Sequence, residues 1–114
     1  MFKKQIKINK DEDLIKLIKD TRVEIKDEEY DKCEKMLYQA MSAFPHAPEP
    51  HNLLGILLEK KGDHLMAMRH FRAASELDPT YSPARVNLST YGAMAHESIF
   101  AYDESDIASV KAAI

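Results

Sequence analysis

The side chains best suited to chemistry in this sequence are five histidines and one cysteine, which are common zinc ligands and common members of catalytic pairs. A zinc site on one helix favours two ligands a turn apart, but His64 and His70 are six residues apart. The His96-Glu97 pair is not followed by the second histidine of the H-E-x-x-H motif. The spacing therefore predicts structural histidines, no metal site and no cofactor.

Motifs for nucleophilic attack or phosphate binding are not found either. The three glycines, Gly55, Gly62 and Gly92, are isolated, so none belongs to a phosphate loop or flanks a nucleophilic serine. Cys33 lies in a helical apolar pattern, which favours a buried, unreactive thiol. We therefore expect that the protein is not an enzyme.

Composition and charge narrow the class of protein further. A chain of 114 residues, 45% hydrophobic and 31% charged, suits one folded domain. Its net charge of -3 argues against a nucleic-acid partner. No apolar stretch approaches the roughly 20 residues that cross a bilayer, and the first lysines precede no signal-peptide core. We expect a cytoplasmic protein with no membrane partner.

The chain is organised by a repeat with an offset of 34 residues. The repeat predicts units at residues 14–47, 48–81 and 82–114, within a domain at 11–114 that follows an N-terminal arm at 1–10. The match weakens towards both ends of the chain. The offset pairs residues of like size or chemistry: Glu29 with Asp63, Cys33 with Ala67, Leu37 with Phe71, Ala40 with Ala74 and Pro45 with Pro79.

The residue types in the middle unit predict two antiparallel helices. Small residues such as Gly55 and Ala67 permit a close approach, and the large Phe71 fills the space around them. Gly62 is suited to the left-handed conformation that ends a helix, and Asp63 is suited to cap the next one. Each unit is therefore expected to form a helical hairpin.

The middle unit resembles the tetratricopeptide repeat. The resemblance implies an all-α fold in which antiparallel helix hairpins stack into a right-handed α-solenoid of about three units. His51 departs from the family pattern, which usually has a large aromatic residue there. The matching positions are Leu54-Gly55, Leu58, Gly62-Asp63, Ala67, Phe71, Ala74 and Leu77-Asp78-Pro79.

In that family the first helix of each unit lines a concave groove, so the resemblance implies a protein-protein interaction module or scaffold with a protein or peptide partner. Ile18, Pro83 and Asn87 stand where the subclass that binds chaperone tails needs basic residues, so we do not expect that kind of partner. The groove positions that the family implies are Ile18, Arg22, Lys26, Asn52, Ile56, Glu59, Val86, Asn87, Thr90 and Met94.

Self-association is the alternative function. An apolar stripe recurs at heptad-like spacing near the C-terminus, and an uncovered stripe favours a homo-oligomer that buries it. The sequence leaves open whether this part of unit three forms a second helix, and whether residues 1–10 form an arm or extend the first helix. The stripe consists of Phe100, Ile107, Val110 and Ile114.

Overall fold

A computed structural model of the protein describes residues 10–93 and 100–113, and these form an all-α structure without strands. The all-α prediction is confirmed. None of the described helices is long and apolar enough to cross a membrane. The elements are α1 (Lys10–Lys26), α2 (Tyr30–Ala43), α3 (Pro48–Lys60), α4 (His64–Leu77), α5 (Ser82–Ala93), a 3-10 turn (Glu104–Asp106) and α6 (Ile107–Ala113).

The helix boundaries repeat with the offset found in the sequence. Helices α2 and α4 start at 30 and 64 and end at 43 and 77, so both boundaries differ by 34 residues. The starts of α3 and α5, at 48 and 82, differ by the same amount, as do the ends of α1 and α3. The sequence repeat therefore corresponds to repeated helices from α1 to α5. After α5 the pattern changes, because residues 100–103 are not helical.

Helices that follow one another in the chain pack together, and α1 also contacts α3, while α3 contacts α5. We call the surface that α1, α3 and α5 share the α1–α3–α5 face. Between α3 and α4, Gly55 lies directly against the ring of Phe71, which is fully buried together with Ala67. The small positions therefore permit the close approach that the sequence predicts, and an apolar core runs from α1 to α4.

The turn between α3 and α4 has the predicted chemistry. Gly62 has a φ of 87°, and its N–H donates to the carbonyl of Glu59 at 3.1 Å. The N–H of Asp63 donates to the carbonyl of Leu58 at 2.8 Å, which completes a Schellman motif. The carboxylate of Asp63 accepts from the Met66 N–H at 3.3 Å and so caps α4. Both predicted roles are confirmed.

The turn between α1 and α2 has the same hydrogen bonds without the glycine. Glu28 takes the left-handed position with a φ of 58°, and its N–H donates to the carbonyl of Ile25 at 3.1 Å. The N–H of Glu29 donates to the carbonyl of Glu24 at 2.8 Å. A side chain in this conformation costs about 1 kcal/mol, because its Cβ approaches the following carbonyl oxygen. This turn is therefore strained where its counterpart at Gly62 is not.

Replacing Glu28 with glycine is expected to raise the free energy of unfolding by about 1 kcal/mol, because the strain disappears. The exchange Gly62→Ala should lower it by a similar amount, since alanine is strained at that φ. Urea unfolding of the two variants and the wild type measures both effects. A loss of stability in Glu28→Gly, the ordinary result of glycine near a helix, would show that the turn is not strained.

Candidate functional site

The α1–α3–α5 face is covered by a part of the chain that comes after α5. Residues 100–106, here called the C-terminal segment, begin with non-helical residues and end in the 3-10 turn. Asp103 has an extended backbone, with φ −153° and ψ −176°. Phe100 and Ala101 are buried at 5% and 0% exposure, so the start of this segment is packed inside the fold.

Two asparagine side chains bind the main chain of the C-terminal segment. Asn87, on α5, accepts a hydrogen bond from the Ala101 N–H at 2.8 Å and donates to the Ala101 carbonyl at 2.8 Å. Asn52, on α3, donates to the same carbonyl at 3.0 Å and accepts from Asn87 at 2.9 Å. All three residues have no exposed surface. These amides provide hydrogen-bond partners for main-chain groups that lie in neither a helix nor a strand.

Aromatic rings lie on both sides of Ala101, and each ring has a cation above it. The ammonium of Lys60 is 5.5 Å from the centre of the Phe100 ring. The guanidinium of Arg22 is 4.7 Å from the centre of the Tyr102 ring. The two rings meet edge to face, with their centres 6.5 Å apart. The face therefore offers a cation to each aromatic side chain of the segment.

Arg22 also binds the acidic end of the segment. Its two terminal nitrogens donate to the two carboxylate oxygens of Asp106 at 3.1 and 2.7 Å, a bidentate pair. The Nη2 atom of Arg22 is also 3.0 Å from the Oδ1 atom of Asp103. Burial opposes the charge of Asp103, yet hydrogen bonds from Ser105 and Arg22 lower the pKa of its carboxyl below the ordinary value. The carboxylate form is thus favoured at neutral pH.

An acidic cleft of about 610 Å³ adjoins this end of the segment. Asp103, Glu104 and Ser105 contribute to its wall from the segment, and Glu49, at the start of α3, also lines it. Burial raises the pKa of Glu49, while a backbone hydrogen bond and the charge of Lys10 lower it. The negative charges of Glu104 and Asp78 add to the increase. Like charges therefore line the same cleft. The cleft is lined by Asp11, Leu14, Ile15, Ile18, Glu49, Asp78, Tyr81, Asp103, Glu104 and Ser105.

The ten groove positions divide into distinct groups. Arg22, Asn52 and Asn87 come together around the C-terminal segment. Ile18 and Ile56 are buried in the apolar core, and Thr90 is also buried. The remaining described positions lie elsewhere: Lys26 is exposed, Val86 is half-buried, and Glu59 is half-buried and bonded to His64, while Met94 lies outside the described residues.

The apolar stripe of the self-association alternative is partly covered by its own chain. Phe100 has 5% of its surface exposed and Val110 none, because the segment and α6 pack against the helices. Ile107 is half-buried, and Ile114 lies outside the described residues. Neither Phe100 nor Val110 thus presents an apolar side chain to a second copy in this conformation.

Sequence reasoning did not assign Lys60 or the C-terminal segment to this site. Asp103 lies between Phe100 and Ile107 of the predicted apolar stripe, and it pairs with Arg22. Arg22 and Asp106 are 84 positions apart, so no local periodicity connects them. The sequence contains one indication of this contact, which is the opposite charge of an arginine on the first helix and of acidic residues near the C-terminus.

His51 on α3 and His70 on α4 lie in contact, although their spacing in the sequence does not predict it. The Nδ1 atoms of His51 and His70 are 3.1 Å apart, and the rings stack with centres 5.3 Å apart. Burial lowers the pKa of both histidines, and in His70 the neighbouring His51 lowers it further. The pair is therefore favoured in its neutral form, in which one ring donates and the other accepts.

The free energy of unfolding is expected to decrease as the pH falls through about 6.5, where histidines of the unfolded chain take up protons more readily than this pair. In the variant His70→Gln the decrease should be smaller, because one of the two histidines with a lowered pKa is absent. Urea unfolding at a series of pH values measures this difference. An identical pH dependence in both proteins would contradict the assignment.

The single cysteine of the chain is a free thiol inside the fold. Cys33 is fully buried, and burial raises its pKa to about 12, so the thiolate is scarce at neutral pH. Within residues 10–93 and 100–113, no three His, Cys, Asp or Glu side chains gather into a metal site. No protein-family model and no solved structure matches this chain.

Proposed function

We propose that this protein is an interaction module of the tetratricopeptide-repeat kind, whose α1–α3–α5 face binds an extended segment of a protein partner. The observation that carries the proposal is the set of hydrogen bonds between the side chains of Asn52 and Asn87 and the main chain of Ala101. Buried amides that bind main-chain groups hold a peptide through atoms that every residue has. Such a face is suited to peptide binding.

The repeated helix boundaries support the same proposal. The offset of 34 residues from α1 to α5 agrees with the period of the family, and α1, α3 and α5 are the first helices of the three units. In the family these helices line the groove. The contacts of α3 with α1 and α5 agree with stacked hairpins. A cytoplasmic scaffold remains the setting that we propose.

Self-association is the second candidate, and one observation favours it. The peptide that covers the face belongs to this chain, so the same segment of a second copy has identical chemistry. Exchange of the segment between two copies makes a dimer without new contacts. A segment in the same chain has an effective concentration in the millimolar range, however, which disfavours exchange in dilute solution.

Selection of short displayed peptides on the full chain tests the proposed function. Selected peptides should lose affinity by about tenfold or more when Arg22 and Asn52 are both replaced by alanine, since charge-assisted and buried amide hydrogen bonds disappear. The matched control replaces Lys35 and Gln39, which are exposed on α2. Peptides that bind both variants equally well would place the binding surface elsewhere, and a lack of selected peptides would defeat the proposal.

A further inference from the structure

We infer that the C-terminal segment occupies the site at which the partner binds. The partner then has an aromatic residue, a small residue, a second aromatic residue and an aspartate in succession. It has a basic residue at the position that corresponds to Glu104 and an acidic residue at the position that corresponds to Asp106. The inference rests on the proposed function and specifies the peptide that the face binds. The segment itself reads Phe100-Ala-Tyr-Asp-Glu-Ser-Asp106. It serves as a template because five of its residues meet complementary groups on the face, namely Phe100, Ala101, Tyr102, Asp103 and Asp106.

The complementary contacts define most of the pattern. Ala101 is fully buried where the two asparagine amides bind its main chain, so a larger side chain does not fit. The neighbouring aromatic rings lie beneath the cations of Lys60 and Arg22. The two aspartates share the guanidinium of Arg22. A partner with these groups at the same spacing makes every one of these contacts.

Glu104 differs from these residues because it lies among side chains of its own charge. It is exposed at the wall of the acidic cleft, where carboxylates of α1, α3 and the turn after α4 are also present. Its charge contributes to the unfavourable environment of Glu49. A lysine at this position exchanges repulsion for attraction, so a partner with a basic residue there binds more tightly than the segment does.

This mismatch explains how a partner in solution displaces a segment that is attached to the same chain. The attached segment benefits from a high effective concentration, and a competing peptide has to compensate for it with better contacts. The acidic cleft supplies such a contact. The segment therefore restricts the face to partners that match the pattern and also bear the basic residue.

The test uses two labelled peptides with blocked ends, FAYDESD, which is the sequence of residues 100–106, and FAYDKSD. Fluorescence anisotropy gives their affinities for the full chain and for a full chain with Asp103→Asn and Asp106→Asn, which loosens the attached segment. We expect the loosened chain to bind FAYDKSD about tenfold more tightly than the wild type does. FAYDKSD should bind about fivefold more tightly than FAYDESD.

A further variant, Glu104→Lys, keeps every contact of the segment and provides the test if the loosened chain does not fold. It should bind FAYDKSD more weakly than the wild type does, because its own segment now fits the cleft better. Adding Arg22→Ala to the loosened chain should reduce binding by about tenfold or more. Circular dichroism confirms that each variant is helical.

Three results would overturn the inference. Equal affinity of the wild type and the loosened chain for FAYDKSD would show that the segment does not occupy the binding site. Equal affinity of both peptides would remove the role of Glu104. A dimer of the loosened chain that excludes the peptides would make a second copy the occupant. If FAYDKSD fails to bind while display-selected peptides still require Arg22 and Asn52, the proposed function stands and only this inference fails.

Discussion

Replacing Asn87 with alanine is expected to lower the free energy of unfolding by about 3 kcal/mol. The side-chain amide takes part in three hydrogen bonds, two with the Ala101 main chain and one with Asn52, where no solvent reaches. Each contributes about 1 kcal/mol, and a polar group left buried without a partner costs at least as much. If the chain releases the C-terminal segment instead, it loses the burial of Phe100.

Urea unfolding at pH 7.5 measures this change, and the control is Ser89→Ala on the same helix. Ser89 is exposed, so its replacement should change the free energy of unfolding by less than about 0.5 kcal/mol. If Asn87→Ala lowers the free energy of unfolding and Ser89→Ala does not, the loss is caused by the buried amide and not by a general effect of alanine on α5. If the two variants are equally stable, the buried hydrogen bonds contribute little and the segment is not held as described.

The exchange Gly55→Ala is expected to destabilise the protein by about 2 kcal/mol, although alanine normally favours a helix over glycine. A Cβ at this position would lie 2.5 Å from Cε1 and 2.6 Å from Cδ1 of the Phe71 ring. The ring has no exposed surface, so it has no open space into which to move. Overpacking of the contact between α3 and α4 therefore outweighs the gain in helix propensity.

A double-mutant cycle with Phe71→Leu identifies the cause. Leucine lacks the ring atoms that the new Cβ would meet, so Gly55→Ala should cost much less in this background, or should stabilise the helix. Thermal and urea unfolding of the four proteins give the coupling free energy. An equal cost in both backgrounds would show that the ring of Phe71 is not the obstacle.

The sequence predicts the elements whose causes are local. Gly62 and Asp63 end one helix and cap the next through hydrogen bonds that span five residues or fewer, and the chemistry follows from the residue types. Gly55 and Phe71 belong to a repeat that can be read at a fixed offset. These features were predictable because they depend on spacing along the chain.

The occupant of the α1–α3–α5 face was not predictable in the same way. Arg22, Asn52 and Asn87 were expected to face a partner, and they do come together on one peptide, but that peptide is residues 100–106. The third unit departs from the repeat where Ser105 replaces the expected large residue. Local patterns indicate the change without showing where the segment goes, because that depends on contacts across the whole chain. The His51–His70 pair was missed for the same reason.

The most direct test of a peptide-binding face is hydrogen exchange of the Ala101 amide, followed by NMR in the wild-type chain. The Ala101 N–H should exchange slowly in the isolated protein, because it donates to Asn87 in a buried site. An excess of unlabelled FAYDKSD should accelerate this exchange, since the peptide takes over the hydrogen bond and releases the segment. An Ala101 amide that exchanges as fast as an unstructured chain would contradict the packing of the segment on the face. A slow rate that no excess of FAYDKSD changes would contradict the inference that the segment occupies the binding site.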